Sequence, residues 1–191
     1  MELFLIRHAR AAERGARYPD DTERPLVAKG EAQARLLAAA FERLGVRFER
    51  VTTSPWLRAR QTAEPLRALS GGGVVVLDAL SQGDPNETAL ALRGLLAEAR
   101  SLPGAGVHAG RQSAAAATAT AARIAAVGHE PWLSMLAAWL LSGSASGLAI
   151  AFRKAAVMTL EGDLRAGGMT LTGFLPMRSV KALHGAGGDG S

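Results

Sequence analysis

The run Leu3-Phe4-Leu5-Ile6 sets the terms for the whole chain. Four consecutive apolar residues read as a strand buried on both faces, the pattern of a parallel sheet interior. Arg7 and His8 follow at once, where such a strand would end. In open α/β sheets, ligands gather at the carboxyl ends of the strands. A histidine fixed there beside a guanidinium is placed to attack a phosphoryl group. A basic strand end meeting solvent would account for the same two residues, so the decision rests on finding the rest of a phosphate pocket.

The alternation continues along the chain. Ala11 to Pro25 is a polar loop broken by Gly15, Pro19 and Pro25. Gly30 to Leu44 reads as an amphipathic helix with Leu36, Leu37, Ala40, Phe41 and Leu44 on one side and Gly45 as its stop. Arg50-Val51-Thr52-Thr53 is a second strand. Ser54 then serves as N-cap and Pro55 as first residue of a helix reaching Leu69, with a kink or early end at Pro65. Val74 to Leu77 is a third strand, again apolar on both faces, and Asn86 caps a helix over 87–100 whose buried side is Leu90, Leu92, Leu95 and Leu96. Pro103 to Ala122 is low-complexity Gly, Ala, Ser and Thr, with little to bury, and is expected to be a loop insert. Ile124 to Val127 is a strand, Pro131 to Leu141 a helix, and 155–160 and 169–174 pair as a hairpin through 162–168. A Gly-rich tail, expected to be flexible, starts at His184. Strands alternating with helices predict a three-layer α/β/α sandwich with a mainly parallel central sheet. One domain over residues 1–183, carrying the 103–122 insert, accommodates all of it.

Composition narrows the function classes. No segment approaches the roughly 18 uninterrupted apolar residues a membrane helix needs, and the N-terminus lacks a leader pattern. A cytoplasmic monomer with no membrane partner is the expectation. Cysteine is absent, which excludes disulfides and thiolate metal sites. The formal charge of +5 points to an anionic partner. Few aromatics, no Lys/Arg run and no RNA-binding or zinc-finger signature argue against nucleic acid. The glycine-rich nucleotide-binding motifs are missing as well.

Two further strand ends supply the sought pocket. The second strand ends in Thr53-Ser54-Pro55-Trp56-Leu57-Arg58-Ala59, placing Arg58 on the first turn of a helix. The fourth ends in Gly128-His129-Glu130-Pro131. Parallel neighbours would bring two arginines, two histidines and helix N-termini to one edge of the sheet, a setting for one dianionic phosphoryl group.

The set Arg7-His8-Ala9, Ser54-x-x-x-Arg58-Ala59-x-x-Thr62 and Gly128-His129-Glu130-Pro131 resembles the histidine phosphatase superfamily, with its phosphoglycerate mutase-like fold, and within it the small SixA-type phosphohistidine phosphatases. Arg24-Pro25-Leu26-x-x-x-Gly30 is similar to the stretch before their first helix, and Leu80-x-x-Gly83-Asp84 to their loop after the third strand. Two departures stand out. Ala9 replaces the usual glycine, which is tolerable if its φ stays negative. Val27 replaces a capping threonine, so the first helix is capped otherwise or not at all.

The resemblance implies that His8 is a nucleophile, transiently phosphorylated, whose other ring nitrogen donates to a backbone carbonyl. It implies that Arg7, Arg58 and His129 bind the phosphoryl oxygens, with no metal and no cofactor. Relatives acting on alcohol phosphates place a glutamate after the third strand; here that region reads Asp78 to Asp84 without one. A phosphohistidine tolerates this, because its imidazole is protonated near its reference pKa of about 6.5 before leaving. The expected partner is therefore a phosphorylated histidine-containing protein, with a small-molecule phosphomonoester or a non-catalytic phosphoryl-binding role as alternatives. Glu130 and Asp84 are the candidate proton donors, although Glu130 equally suits the N-terminal charge of its helix and Asp84 an ordinary turn.

Overall fold

The computed structural model describes residues 1–101 and 121–185. Most of the expected insert and residues 186–191 of the expected tail fall outside them, as does His108. A six-stranded sheet runs in the order β3-β2-β4-β1-β5-β6. Its strands are β1 (Glu2–Arg7), β2 (Arg50–Thr53), β3 (Val74–Val76), β4 (Arg123–Gly128), β5 (Val157–Gly162) and β6 (Met169–Leu175). The first four are mutually parallel, and β5 and β6 complete the sheet as the antiparallel hairpin that the 162–168 turn predicts.

Three layers follow from the strand alternation. Phe4 and Ile6 of β1 face α1 (Ala28–Arg43), α2 (Leu57–Ala63) with the 3-10 turn Glu64–Leu69, and α6 (Met177–Gly185). There Phe4, Phe41 and Phe48 meet edge to face with centroids 5.2–5.7 Å apart. Leu3 and Leu5 face the opposite layer, built from α4 (Pro85–Ser101), α5 (Trp132–Ser142) and the short α3 (Ala79–Gln82). With both faces covered, β1 has no room for a polar residue until it ends. No helix among the described residues is long and apolar enough to cross a membrane.

Several local expectations change. The second helix starts at Leu57, because Ser54 turns its hydroxyl away to another partner and only loosely accepts the Trp56 N–H, at 3.3 Å. It gives way to 3-10 geometry at Glu64, as Pro65 requires. Asp84, not Asn86, caps α4, its carboxylate accepting the Asn86 N–H at 2.8 Å. β3 lies at the sheet edge, so Val76 is exposed rather than buried on both faces. Leu44 and Leu90 are likewise exposed, Leu44 because it is already the C-cap of α1. Periodicity counts apolar positions but does not show which of them a neighbour covers. α6 carries the chain through His184 and Gly185, past the point where the tail was expected to begin.

Candidate active site

The register of the parallel strands does the first part of the assembly. Arg7 pairs with Gly128 and Thr53 with Val127, so His8, Ser54 and His129 emerge side by side from β1, β2 and β4. Backbone bonds continue the ladder one residue further, His8 N–H to the Gly128 carbonyl at 3.0 Å and Ser54 N–H to the Val127 carbonyl at 2.9 Å. The rings of His8 and His129 lie 5.0 Å apart, and both side chains are buried.

The His8 ring is held from two directions. Its Nδ1 lies 2.7 Å from the Ala9 carbonyl, which can only accept, so Nδ1 carries the proton. Nε2 is therefore a free lone pair, and it receives Arg58 Nε–H at 3.3 Å. Burial, opposed by the Ala9 bond and aided by the charges of Arg58, Arg7 and Lys154, lowers the His8 pKa to about 3. The ring is thus neutral at any physiological pH, with its basic nitrogen aimed at a guanidinium.

Arg58 is itself clamped by a residue that the sequence reading overlooked. Asp21, on the short 3-10 turn Asp21–Glu23, accepts Arg58 Nη2–H at 2.9 Å on its carboxylate and Nη1–H at 2.5 Å on its backbone carbonyl. The same carboxylate takes Arg14 at 2.8 Å and Arg24 at 2.6 Å. Burial alone would raise the Asp21 pKa; the bonds to Arg24 and Arg14 and the charges of Arg58 and Arg24 hold it well below the usual carboxylate range. Its signal in the sequence is an acid four positions before Pro25, followed by arginine at i+3, in a loop otherwise rich in arginine.

His129 is positioned by Ser54, whose Oγ lies 2.7 Å from Nε2. Its other nitrogen, Nδ1, is buried without a protein partner. The Trp56 ring packs 4.4 Å from the His129 ring, and the Arg58 guanidinium carbon sits 4.4 Å over the same indole. Thr62 joins the two halves of the pocket, its hydroxyl accepting the Ala9 N–H at 3.0 Å and donating to the Arg58 carbonyl at 2.7 Å. Arg7 donates through Nη1 to the Phe152 carbonyl at 2.5 Å and leaves Nε buried without a partner.

Four predicted residues, Arg7, His8, Arg58 and His129, thus share one pocket. Glu130 is next to it: one carboxylate oxygen accepts the Ser134 hydroxyl, while Oε1 is buried and unpartnered, and its charge acts on Arg7. Asp84 instead serves α4 as its cap. Among the described residues, no group of three or more His, Cys, Asp or Glu side chains is arranged to hold a metal ion.

Residues 3–85 match the family model of the histidine phosphatase superfamily (branch 1). The chain is similar to that superfamily over the stretch that holds Arg7, His8 and Arg58. A phosphohistidine phosphatase, SixA of Escherichia coli, is 42% identical over 64 residues, which cover 34% of this chain and 38% of that protein. An uncharacterized protein of Picosynechococcus is 51% identical over 72 residues, covering 38% of this chain and 43% of its own length. The matched stretches therefore span about two fifths of these curated relatives. Over nearly the full length, the solved structure of the protein histidine phosphatase SixA complexed with tungstate superposes with a TM-score of 0.71 at 26% identity, covering 94% of this chain and 99% of that one.

Both departures from the superfamily pattern find an account. Ala9 is fully buried and keeps a negative φ, so its methyl costs nothing in the backbone. Val27 provides no side-chain cap to α1. Its own N–H goes to the Arg10 carbonyl at 3.1 Å, and the preceding Leu26 N–H goes to Gln61 Oε1 at 2.7 Å. The same approach fixes Gly30, where a β-carbon would lie 2.0 Å from the Arg10 carbonyl oxygen. A side chain there would push α1 off the segment that leaves β1.

The two buried histidines carry a pH signature. Burial, then the fields of His8 and Arg58, lower the His129 pKa to about 2. In an NMR titration neither ring should change protonation between pH 5 and 8; a midpoint near the usual 6.5 for either would contradict the geometry. Between about pH 6.5 and these depressed values the unfolded chain binds protons that the folded chain refuses. Their contribution to stability is therefore intact above the unfolded pKa and lost progressively as the pH falls.

Proposed function

We propose that this chain hydrolyses phosphohistidine on a protein through a covalent intermediate at His8. The observation that carries the reading is the His8 tautomer, with Nδ1–H tied to the Ala9 carbonyl and the Nε2 lone pair facing Arg58. Nε2 attacks phosphorus in line, and the phosphorus–nitrogen bond to the substrate imidazole breaks. That imidazole leaves carrying its proton, and water then cleaves the phosphoenzyme. Arg7 and Arg58 bind the equatorial oxygens, so the pocket's own guanidiniums provide the positive charge for the transfer. The Ser54 hydroxyl donates to His129 Nε2, leaving Nδ1–H to donate to the same oxygens. Asp21 is a positioning residue that keeps Arg58 turned toward His8. The E. coli relative named as a phosphohistidine phosphatase supports this substrate class.

One observation favours the small-molecule alternative. Oε1 of Glu130, buried and unpartnered beside Arg7, is a carboxyl that can protonate an alkoxide. Turnover measured side by side on a phosphorylated histidine-containing protein and a panel of phosphomonoesters separates the two. The proposal expects kcat/KM to favour the phosphoprotein by roughly 10²-fold or more, the scale on which a missing general acid handicaps an ester. A preference for any phosphomonoester would overturn it.

A further inference from the structure

Outside the four residues of the pocket, one cation near the nucleophile has no assigned work. Lys154 lies in the turn that enters β5, and both of its flanks are fastened to the end of β1. On one side the Phe152 carbonyl takes the Arg7 guanidinium at 2.5 Å. On the other the Ala155 N–H is shared between the carbonyls of Arg7, at 3.1 Å, and His8, at 3.2 Å. Ala155 reaches both only by adopting φ 58°, and among the described residues it is the one non-glycine position in that region. A β-carbon disfavours this conformation, and strain of this kind gathers at functional sites.

The charge environment points the same way. Asp21 compensates Arg14, Arg24 and Arg58. No ion pair to Lys154 is present among the described residues, although its charge is felt at His8. Lys154 is exposed to solvent in the turn, and loss of some hydration there, followed by repulsion from Arg7, Arg24, Arg10 and Arg58, lowers its pKa. A cation held against four others gains only when an anion enters the cluster.

We propose that the Lys154 ammonium is a third cationic ligand of the phosphoryl group, beside Arg7 and Arg58, and that the left-handed turn at Ala155 is what holds it there. The inference rests on the reading of this pocket as a phosphoryl site. Orthovanadate binding to the full chain, followed by calorimetry and by the fluorescence of Trp56, which stacks on His129 and Arg58, tests it. Lys154→Met should weaken binding about tenfold or more, the scale of a lost charged hydrogen bond, with a matching fall in kcat/KM on the phosphoprotein. Lys154→Arg should recover most of both, and Lys181→Met, an exposed charge on α6, should change neither. Wild-type binding of orthovanadate by the Met variant would overturn the inference, including the case where only affinity for the phosphoprotein falls. Failure of the wild type itself to bind orthovanadate would overturn the phosphoryl-site reading, a separate and earlier result.

Discussion

His8→Ala is expected to lower hydrolysis of a phosphorylated histidine protein by roughly 10⁴-fold or more, the scale seen when a covalent nucleophile is removed. The size of the loss follows from chemistry rather than from packing. Nε2 is the atom whose lone pair is left free by the Nδ1–H bond to Ala9, and no neighbouring group duplicates it. His129, 5.0 Å away ring to ring, is already engaged through Nε2 with Ser54. A short reaction with labelled phosphoprotein, stopped under denaturing alkaline conditions that spare phosphorus–nitrogen bonds, should leave label on the wild type and none on the variant. Undiminished turnover by the variant, or label carried by another residue, would remove His8 from its role. If the wild type binds inorganic phosphate without turning over any phosphorylated substrate, the pocket is a recognition module.

Arg58→Ala should reduce kcat by about 10²–10³-fold, the range for losing one donor to a charge that develops in the transition state. Lysine should rescue little. The guanidinium uses its fork, with Nε on His8 and both terminal nitrogens on Asp21, and an ammonium cannot span these partners. Asp21→Asn is a gentler probe of the same device: Arg58 stays but loses its charged anchor, so kcat should fall about tenfold with KM less affected. The variant also changes the response to acid. A carboxylate whose pKa is depressed on folding contributes stability above its unfolded pKa and loses it as the pH falls through the folded value. Asp21→Asn should therefore be less stable at neutral pH, with the gap to wild type closing in acid. A constant gap across that range in denaturant titrations would mean that the three arginine contacts add nothing through charge.

The sequence alone determined the frame of this protein and named four residues of its candidate site. Runs such as Leu3 to Ile6, long enough to fill both faces of a sheet, force a parallel α/β arrangement. Such a sheet has one edge where strand ends meet. Arg7, His8, Arg58 and His129 were legible because each sits within five residues of such an end, a local fact. Tertiary structure decided everything that depends on a partner distant in the chain. Asp21 lies 37 residues from the guanidinium it grips, and its own surroundings read as an unremarkable polar loop. Ser54 has the sequence signature of an N-cap, but its hydroxyl serves His129, 75 residues away. Asn86 looks suited to cap α4, but the helix starts at Pro85 and it is the Asp84 carboxylate that accepts the Asn86 N–H. Lys154 comes near His8 only because β5 pairs antiparallel with β1, which brings the neighbouring Ala155 N–H onto the carbonyls of Arg7 and His8. Periodicity and local motif place a residue on an element. Which charge another element brings to it is a property of the packed sheet, and it was the packed sheet that turned four basic residues into an ordered pocket.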